Sequence, residues 1–363
     1  MTYPQSGVNY ADMDPVKKMA QEAGRYTAKN LISNGFSEIP DSRGESAYIW
    51  KQGNIHMASV VEGLGTKNLV ADEMRKITGK TYYDIIGHDT VATIINDLIS
   101  TGATPLVIHA YWAIANSSFL SDLERIKDLI NGWKSACDLS GASWGGGETP
   151  TLKGIINPGT IDLGGSAVGI IKSKKRLIRD SNLKNGDRII LLGSSGVNAN
   201  GISLTRAIAD RLPQGYATKL PDGKLYGEVL LTKTNIYANL LEKLFSSHIQ
   251  INYISNITGH GLKKLMRARP DFTYRVEKIL PPQPVFSFIQ NHSTLSDFEM
   301  YQTFNMGMDY ALFIPEKHAP KSLSIIKEEG YEAIDAGYVS PGKKQIVIEP
   351  KNIVYLRDSL DLR

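Results

Sequence analysis

Residues 59–69 read SVVEGLGTKNL: an apolar run, then a turn with two glycines, a carboxylate ahead of them and a lysine behind. Gly63 and Gly65 let backbone N–H groups approach an anion where a Cβ would obstruct. Thr66 adds a hydroxyl and Lys67 a positive charge. Glu62 would repel a phosphate directly, so its place in the loop implies an intervening cation, most simply Mg2+. The same residues also suit an ordinary strand-to-helix turn with Glu62 and Lys67 in solvent, and the loop alone does not separate the two readings.

Two further segments repeat this chemistry. In GHDTVATIIND (87–97), Asp89 and Asn96 stand seven residues apart, nearly two helical turns, and share a face with Thr93. Val91, Ile95 and Leu98 line the opposite face, and Asp97 lies about a quarter turn from the polar one. In GGGET (145–149), three glycines in a row are costly unless the backbone turns sharply or admits a ligand. Glu148 follows Gly146 and Gly147 directly. Glu62, Asp89 and Glu148 together suit oxygen coordination of one or two Mg2+ ions beneath a nucleotide triphosphate. A polar helix face in solvent is the plainer reading of the middle segment.

The second half carries LLGSSGVNANGIS (191–203). Gly196 and Gly201 have the spacing of a Walker loop, but Ile202 stands where the lysine must be, so that reading fails. Ser194, Ser195, Asn198 and Asn200 on a glycine loop before a helix still suit an anion held by backbone amides. NITGHGLKKLM (256–266) has the same form, with Thr258, Gly259 and His260 at a helix start. His260 is either a proton-transfer or substrate-orienting group, or a structural hydrogen-bonder.

A chain of 363 residues favours two domains. Strand and helix patterns start, pause at the basic stretch Lys172–Arg176, and start again, which predicts domains 1–173 and 174–363. Strict βαβ alternation is absent, so an α+β fold is expected rather than a doubly wound sheet. Segment 230–247 reads as one long helix. The net charge of +4 gives no mandate for nucleic acid. One cysteine, Cys137, rules out an internal disulfide and reads as a small buried residue. The N-terminus has no signal-peptide pattern, and no stretch nears the ~18 apolar residues of a membrane span. A soluble, cytoplasmic protein is the expectation.

In this order, the motifs resemble the phosphoribosylformylglycinamidine cyclo-ligase (aminoimidazole ribonucleotide synthetase) family. SGVNYADMD, EGLGTK, GHDTVATIINDLISTGATPL, GGET, LGSSGVNANG, ITGHG and EMYQTFNMG carry the resemblance over nearly the whole chain. It implies an N-terminal α/β domain pairing strands across a homodimer and a C-terminal α+β domain. It implies ATP and Mg2+ as cofactors, a small ribonucleotide as substrate, and ring closure to 5-aminoimidazole ribonucleotide with release of ADP and phosphate.

By motif, Glu62, Asp89 and Glu148 fall on metal positions. Gly63, Gly65, Thr66, Lys67, Asn96, Asp97, Gly146 and Gly147 fall on nucleotide positions. Ser194, Ser195, Asn200, Gly201, Thr258, Gly259 and Asn305 fall on the substrate side. Lys67, Asn198 and His260 are the catalytic candidates. Four residues depart from the family pattern: Glu62 for Asp, Ala110 for Asp, Asn198 for His, and Asp309 for Gly. They leave open a paralogous small-molecule kinase or a catalytically silent nucleotide-binding protein.

Overall fold

In a computed structural model the structure describes residues 10–360. The part of SGVNYADMD before Tyr10 lies outside them. Two mixed sheets are each flanked by helices of their own.

The first sheet holds β1 (Ser37–Glu38), β2 (Tyr48–Gln52), β3 (Ile55–Gly63), β4 (Thr104–Ile114), β5 (Ser143–Glu148) and β6 (Ile161–Ile171), in the order β1-β2-β3-β6-β4-β5. Only β4 and β5 pair in parallel. Its helices are α1 (Tyr10–Thr27), α2 (Lys29–Ser33), α3 (Lys67–Thr78), α4 (Tyr83–Ile99) and α5 (Leu123–Ser140). Along β3, His56, Ala58 and Val60 point inward while Val61 points out, the period-two pattern of a half-covered sheet. The inward face carries α4, and α5 packs on α4. Cys137 is buried in α5, and burial pushes its thiol up to about 11, which fits an inert packing residue.

The second sheet holds β7 (Arg188–Gly193), β8 (Tyr253–Asn256), β9 (Phe272–Val276), β10 (Met308–Ile314), β11 (Ala333–Pro341), β12 (Gln345–Ile348) and β13 (Ile353–Leu356), in the order β13-β12-β9-β11-β7-β10-β8. All its pairs are antiparallel except β12 with β9. Around it lie α6 (Ile202–Ala209), α7 (Tyr226–Leu230), α8 (Ala238–Ser246), α9 (Pro284–Asn291), α10 (Asp297–Thr303) and α11 (Ala319–Glu328). Every residue of β10 is buried, as a central strand covered on both faces must be.

The single long helix expected over 230–247 is corrected. Residues 231–237 run as a non-helical strap between α7 and α8. The strap gives its backbone groups to the first domain. Thr232 O accepts from Lys67 Nζ at 3.0 Å, and Thr234 N donates to Asp89 at 2.8 Å. Thr234 O lies 2.8 Å from the His88 ring, and Asn235 O accepts from Asn96 at 2.7 Å. These side-chain partners replace the i→i−4 ladder that the local sequence would otherwise form.

Among the described residues, no helix is long and apolar enough to cross a membrane.

Candidate functional site

The sharp end of β3 supplies one wall of a cleft at the junction of the two sheets. Antiparallel pairing with β6 runs to Glu62↔Gly165 and Gly63↔Gly164, which places Glu62 at the last rung before the turn. The polar face of α4 lies beside it, and Asp97 projects from the helix's final turn. The opposite wall is the segment from Thr258 to Arg267, with α1 and the 44–46 turn closing the mouth. The cavity is about 690 Å3 and takes in Glu62, Gly63, Gly65, Thr93 and Asp97 on one side, and Thr258, Gly259, His260, Lys264 and Arg267 on the other. Lys17, Ala199 and Asn200 complete its rim.

Glu62 and Asp97 meet inside it. Both line the same cavity, and burial, with the Asp97 charge second, holds the Glu62 carboxyl up at about 7. A Glu62 carboxyl raised in this way beside Asp97 holds a proton whose place a divalent cation can take. Asp97 is held in place by Asn256, whose Nδ2 donates at 2.7 Å.

The facing wall is cationic. Lys264 is buried and bonded to the Thr258 hydroxyl. Burial, reinforced by Arg267, brings its ammonium down to about 8. Arg267 donates to Gly44 O at 2.7 Å and to Ser46 Oγ at 2.9 Å, and faces Glu45 at 3.5 Å. Acid on one wall and base on the other, a few side chains apart, is the charge pattern that a cation-bound polyphosphate would match.

Several expected residues do not join this cleft. Asp89, Glu62 and Glu148 are not brought together, and among the described residues no group of three or more His, Cys, Asp or Glu side chains could hold a metal. Asp89 is fully buried, with one oxygen 2.5 Å from Lys67 Nζ and the other taken by Thr234 N. Lys67 is likewise fully buried between Asp89 and Thr232 O. The pair seals the domain junction rather than facing a phosphate. Thr66 is the N-cap position of α3. Asn96 is spent on the strap, bonding Asn235 O and Tyr237 N. Of the α4 polar face, only Thr93 and Asp97 reach the cleft.

The glycines at 145–147 have a packing cause. A Cβ on Gly147 would fall 2.2 Å from Ala110 O, so the parallel β4–β5 pair closes only around glycine. Gly146 and Glu148 are exposed on this edge strand, outside the cleft.

On the glycine-rich loop 194–201, Ala199 and Asn200 face the cleft. Ser195 instead lines a separate cavity of about 340 Å3 with Gly196 and Thr232. Ser194 is turned inward onto Gly196 O and Asn305. Asn305 clamps the loop through Gly196 O at 2.9 Å and caps Gly307 N. Gly201 is needed because a Cβ there would strike the Phe304 ring at 2.2 Å. Asn198, in the left-handed region at φ 61°, gives its amide to Asp309 at 2.7 Å.

His260 does line the cleft. Burial and the flanking lysines hold its imidazole down to about 3, so it is neutral at pH 7 and a poor proton acceptor.

Asp97, expected on the nucleotide side by motif, lies in the cleft, whereas Lys264 and Arg267 are not among the expected site residues. Their signal was the basic stretch after ITGHG, which reads equally well as a solvated helix face.

Residues 44–171 match the family model described as AIR synthase related protein, N-terminal domain, and residues 184–349 match its C-terminal domain counterpart. The phosphoribosylformylglycinamidine cyclo-ligase of Carboxydothermus hydrogenoformans is 30% identical over 363 aligned residues, covering 96% of this chain and 98% of that protein. The protein of the same name in Methanosarcina barkeri is 32% identical over 327 residues, covering 90% and 92%. Among solved structures, a HypE–HypF complex superposes with a TM-score of 0.61 at 19% identity, over 86% of this chain and 92% of that one. Thiamine-monophosphate kinase from Stenotrophomonas maltophilia superposes with a TM-score of 0.59 at 16% identity, over 84% and 88%; these two likenesses speak for the fold.

The two-sheet fold and the cleft at its junction thus define an AIR synthase related protein. Within that class, the chain belongs to the phosphoribosylformylglycinamidine cyclo-ligase family of enzymes.

Proposed function

We propose that this chain closes the imidazole ring of formylglycinamidine ribonucleotide at the expense of ATP, giving 5-aminoimidazole ribonucleotide, ADP and phosphate. The observation that carries the reading is the cleft itself. A Glu62–Asp97 carboxyl pair faces Lys264 and Arg267, on a chain 30% identical to a cyclo-ligase over 96% of its length.

In this reading the terminal phosphoryl group of ATP passes to the formyl amide oxygen and ADP leaves. The neighbouring amidine nitrogen then attacks the formyl carbon, the C–O bond breaks, phosphate departs, and a proton is lost as the ring closes. Such chemistry asks for positioning and charge stabilisation, not for a protein nucleophile.

Glu62 and Asp97 would hold Mg2+, whose bound form neutralises phosphate charge during transfer. Lys264, Arg267 and the Gly63 and Gly65 amides would hold phosphate oxygens. Asn200, Thr258 and Gly259 would face the ribonucleotide. His260, neutral and weakly basic, would orient the substrate by hydrogen bonding. The exposed apolar face of the first sheet would pair with a second copy in a homodimer.

The test is ADP release with and without formylglycinamidine ribonucleotide, coupled to product mass. Substrate-dependent ADP and a product lighter by one water support ring closure. A product heavier by a phosphoryl group would instead identify a kinase, the chemistry named for one structural neighbour. ATP binding with no product would identify a silent nucleotide-binding protein.

A further inference from the structure

We propose that Asp309 is the positioning residue of the glycine-rich loop 194–201, locking it through Asn198 and tying it through Tyr237 and Asn96 to the helix that carries Asp97. This deepens the reading above, because it concerns how the substrate side of the same cleft is kept in register with its metal side.

Four hydrogen-bonded groups form one line. Asp309 is 3% exposed, and its two carboxylate oxygens are taken separately. Tyr237 Oη donates to one at 2.5 Å, and Asn198 Nδ2 donates to the other at 2.7 Å. The Tyr237 backbone N–H donates to Asn96 Oδ1 at 3.1 Å, and Asn96 Nδ2 donates to Asn235 O at 2.7 Å. Asn96 immediately precedes Asp97 on α4. Tyr237 Oη and Asn235 Nδ2 also sit 3.2 Å from Gly193 O, at the start of the loop. The loop is therefore held at its root and at its crest from one buried cluster.

The crest turns through Asn198 at φ 61°, a left-handed conformation that asparagine adopts more readily than most L-residues, and its amide is held by Asp309. The next two residues, Ala199 and Asn200, are the ones that face the cleft. Releasing Asn198 frees the backbone on which they ride, without removing any group from the cleft. Without a donor at 198, the Asp309 carboxylate would be buried with one oxygen unmet, so Asn198 and Asp309 act as a unit.

The test uses the full-length protein and four variants: Asn198→Ala, Asn198→Asp, Tyr237→Phe, and the exchanged pair Asn198→Asp with Asp309→Asn. In the exchanged pair the carboxylate and the amide trade places: the 198–309 bond can re-form with its donor reversed, and Tyr237 can still donate to the amide oxygen at 309. Amide hydrogen exchange over 196–201 is read first, because it needs no turnover and reports on the lock even if the chain does not close the ring. Exchange there should accelerate about tenfold in Asn198→Ala and Asn198→Asp, with less in Tyr237→Phe, and return to within about threefold of wild type in the exchanged pair. KM for the ribonucleotide should rise about tenfold in the same two single variants, while affinity for a non-hydrolysable ATP analogue stays within about threefold.

Unchanged exchange in Asn198→Ala would overturn the proposal, as would an exchanged pair no better than Asn198→Asp alone. Tyr237→Phe keeps the test decisive if the other variants fold poorly, since it deletes one hydroxyl and no packing. Unchanged loop exchange in that variant would then count against the lock.

Discussion

Lys67 follows a glycine turn and a threonine, and by sequence it is the residue most suited to touch a phosphate. Its ammonium instead faces Asp89 inside the protein, because the strap 231–237 arrives over both. No local pattern announces that arrival, since the partners are 145 and 165 residues away in the chain. A buried pair deprived of one member leaves an uncompensated charge. Lys67→Ala should therefore cost roughly 3–5 kcal/mol of unfolding free energy, and a double change to apolar residues of similar size should cost less than either single. Denaturant titration decides: a Lys67→Ala loss near zero would return Lys67 to the ligand. Glu62, by contrast, was legible as an acid beside a glycine turn and Asp97 as an acid near the polar face of a helix, although only the fold brings them to one cleft.

Asp309 carries a pH signature of its own. Burial pushes its carboxyl up to about 7, against the lowering hydrogen bonds from Tyr237 and Asn198. The folded state thus keeps a proton that the unfolded chain gives up near the ordinary value of 3.8. Stability from this group is full below that value and is lost as pH rises through about 7. His260, held low by burial, works in the opposite direction at acid pH. The difference between wild type and Asp309→Asn isolates the carboxyl. Relative to the variant, wild type should lose roughly 1.4 kcal/mol per pH unit between about pH 5 and 7, then level off. A difference curve flat across that range would show that Asp309 does not titrate there.

At the scale of elements, several strands were legible as apolar runs, whereas their order in the two sheets was not. Residues 54–61, 104–115, 160–171 and 309–315 read as strands, and β3, β4, β6 and β10 fall within two residues of those bounds. The failure at 230–247 was physical: a periodic apolar pattern lost to backbone bonds offered by α4. Close contact between α4 and α5 was equally invisible. Gly132 of α5 rests on α4, where a Cβ would lie 1.9 Å from Asp84 O. Helix axes that close tolerate no methyl group. Gly132→Ala should destabilise the fold by roughly 3 kcal/mol, near the upper end for overpacking, despite alanine's better helix propensity. A stability gain in thermal or denaturant melts would mean that the helices separate freely.

For the whole molecule, the first sheet is covered on one face only. Val61 is 77% exposed, Ile55 54%, and Leu106 and Tyr111 each 40%, an apolar surface that water alone covers poorly. If this face joins two copies, Val61→Lys with Tyr111→Lys should convert a dimer to a monomer in sedimentation velocity while leaving the second sheet folded. An unchanged sedimentation coefficient would place any dimer contact elsewhere.

Glu62 and Asp97 are the proposed cation site beneath the nucleotide. Calorimetric titration of a non-hydrolysable ATP analogue across a range of Mg2+ tests it most directly. Wild type should bind at least about tenfold more tightly with Mg2+ than without, and Asp97→Asn should lose that dependence while remaining folded. An Asp97→Asn protein that keeps the full Mg2+ effect would contradict the site described here.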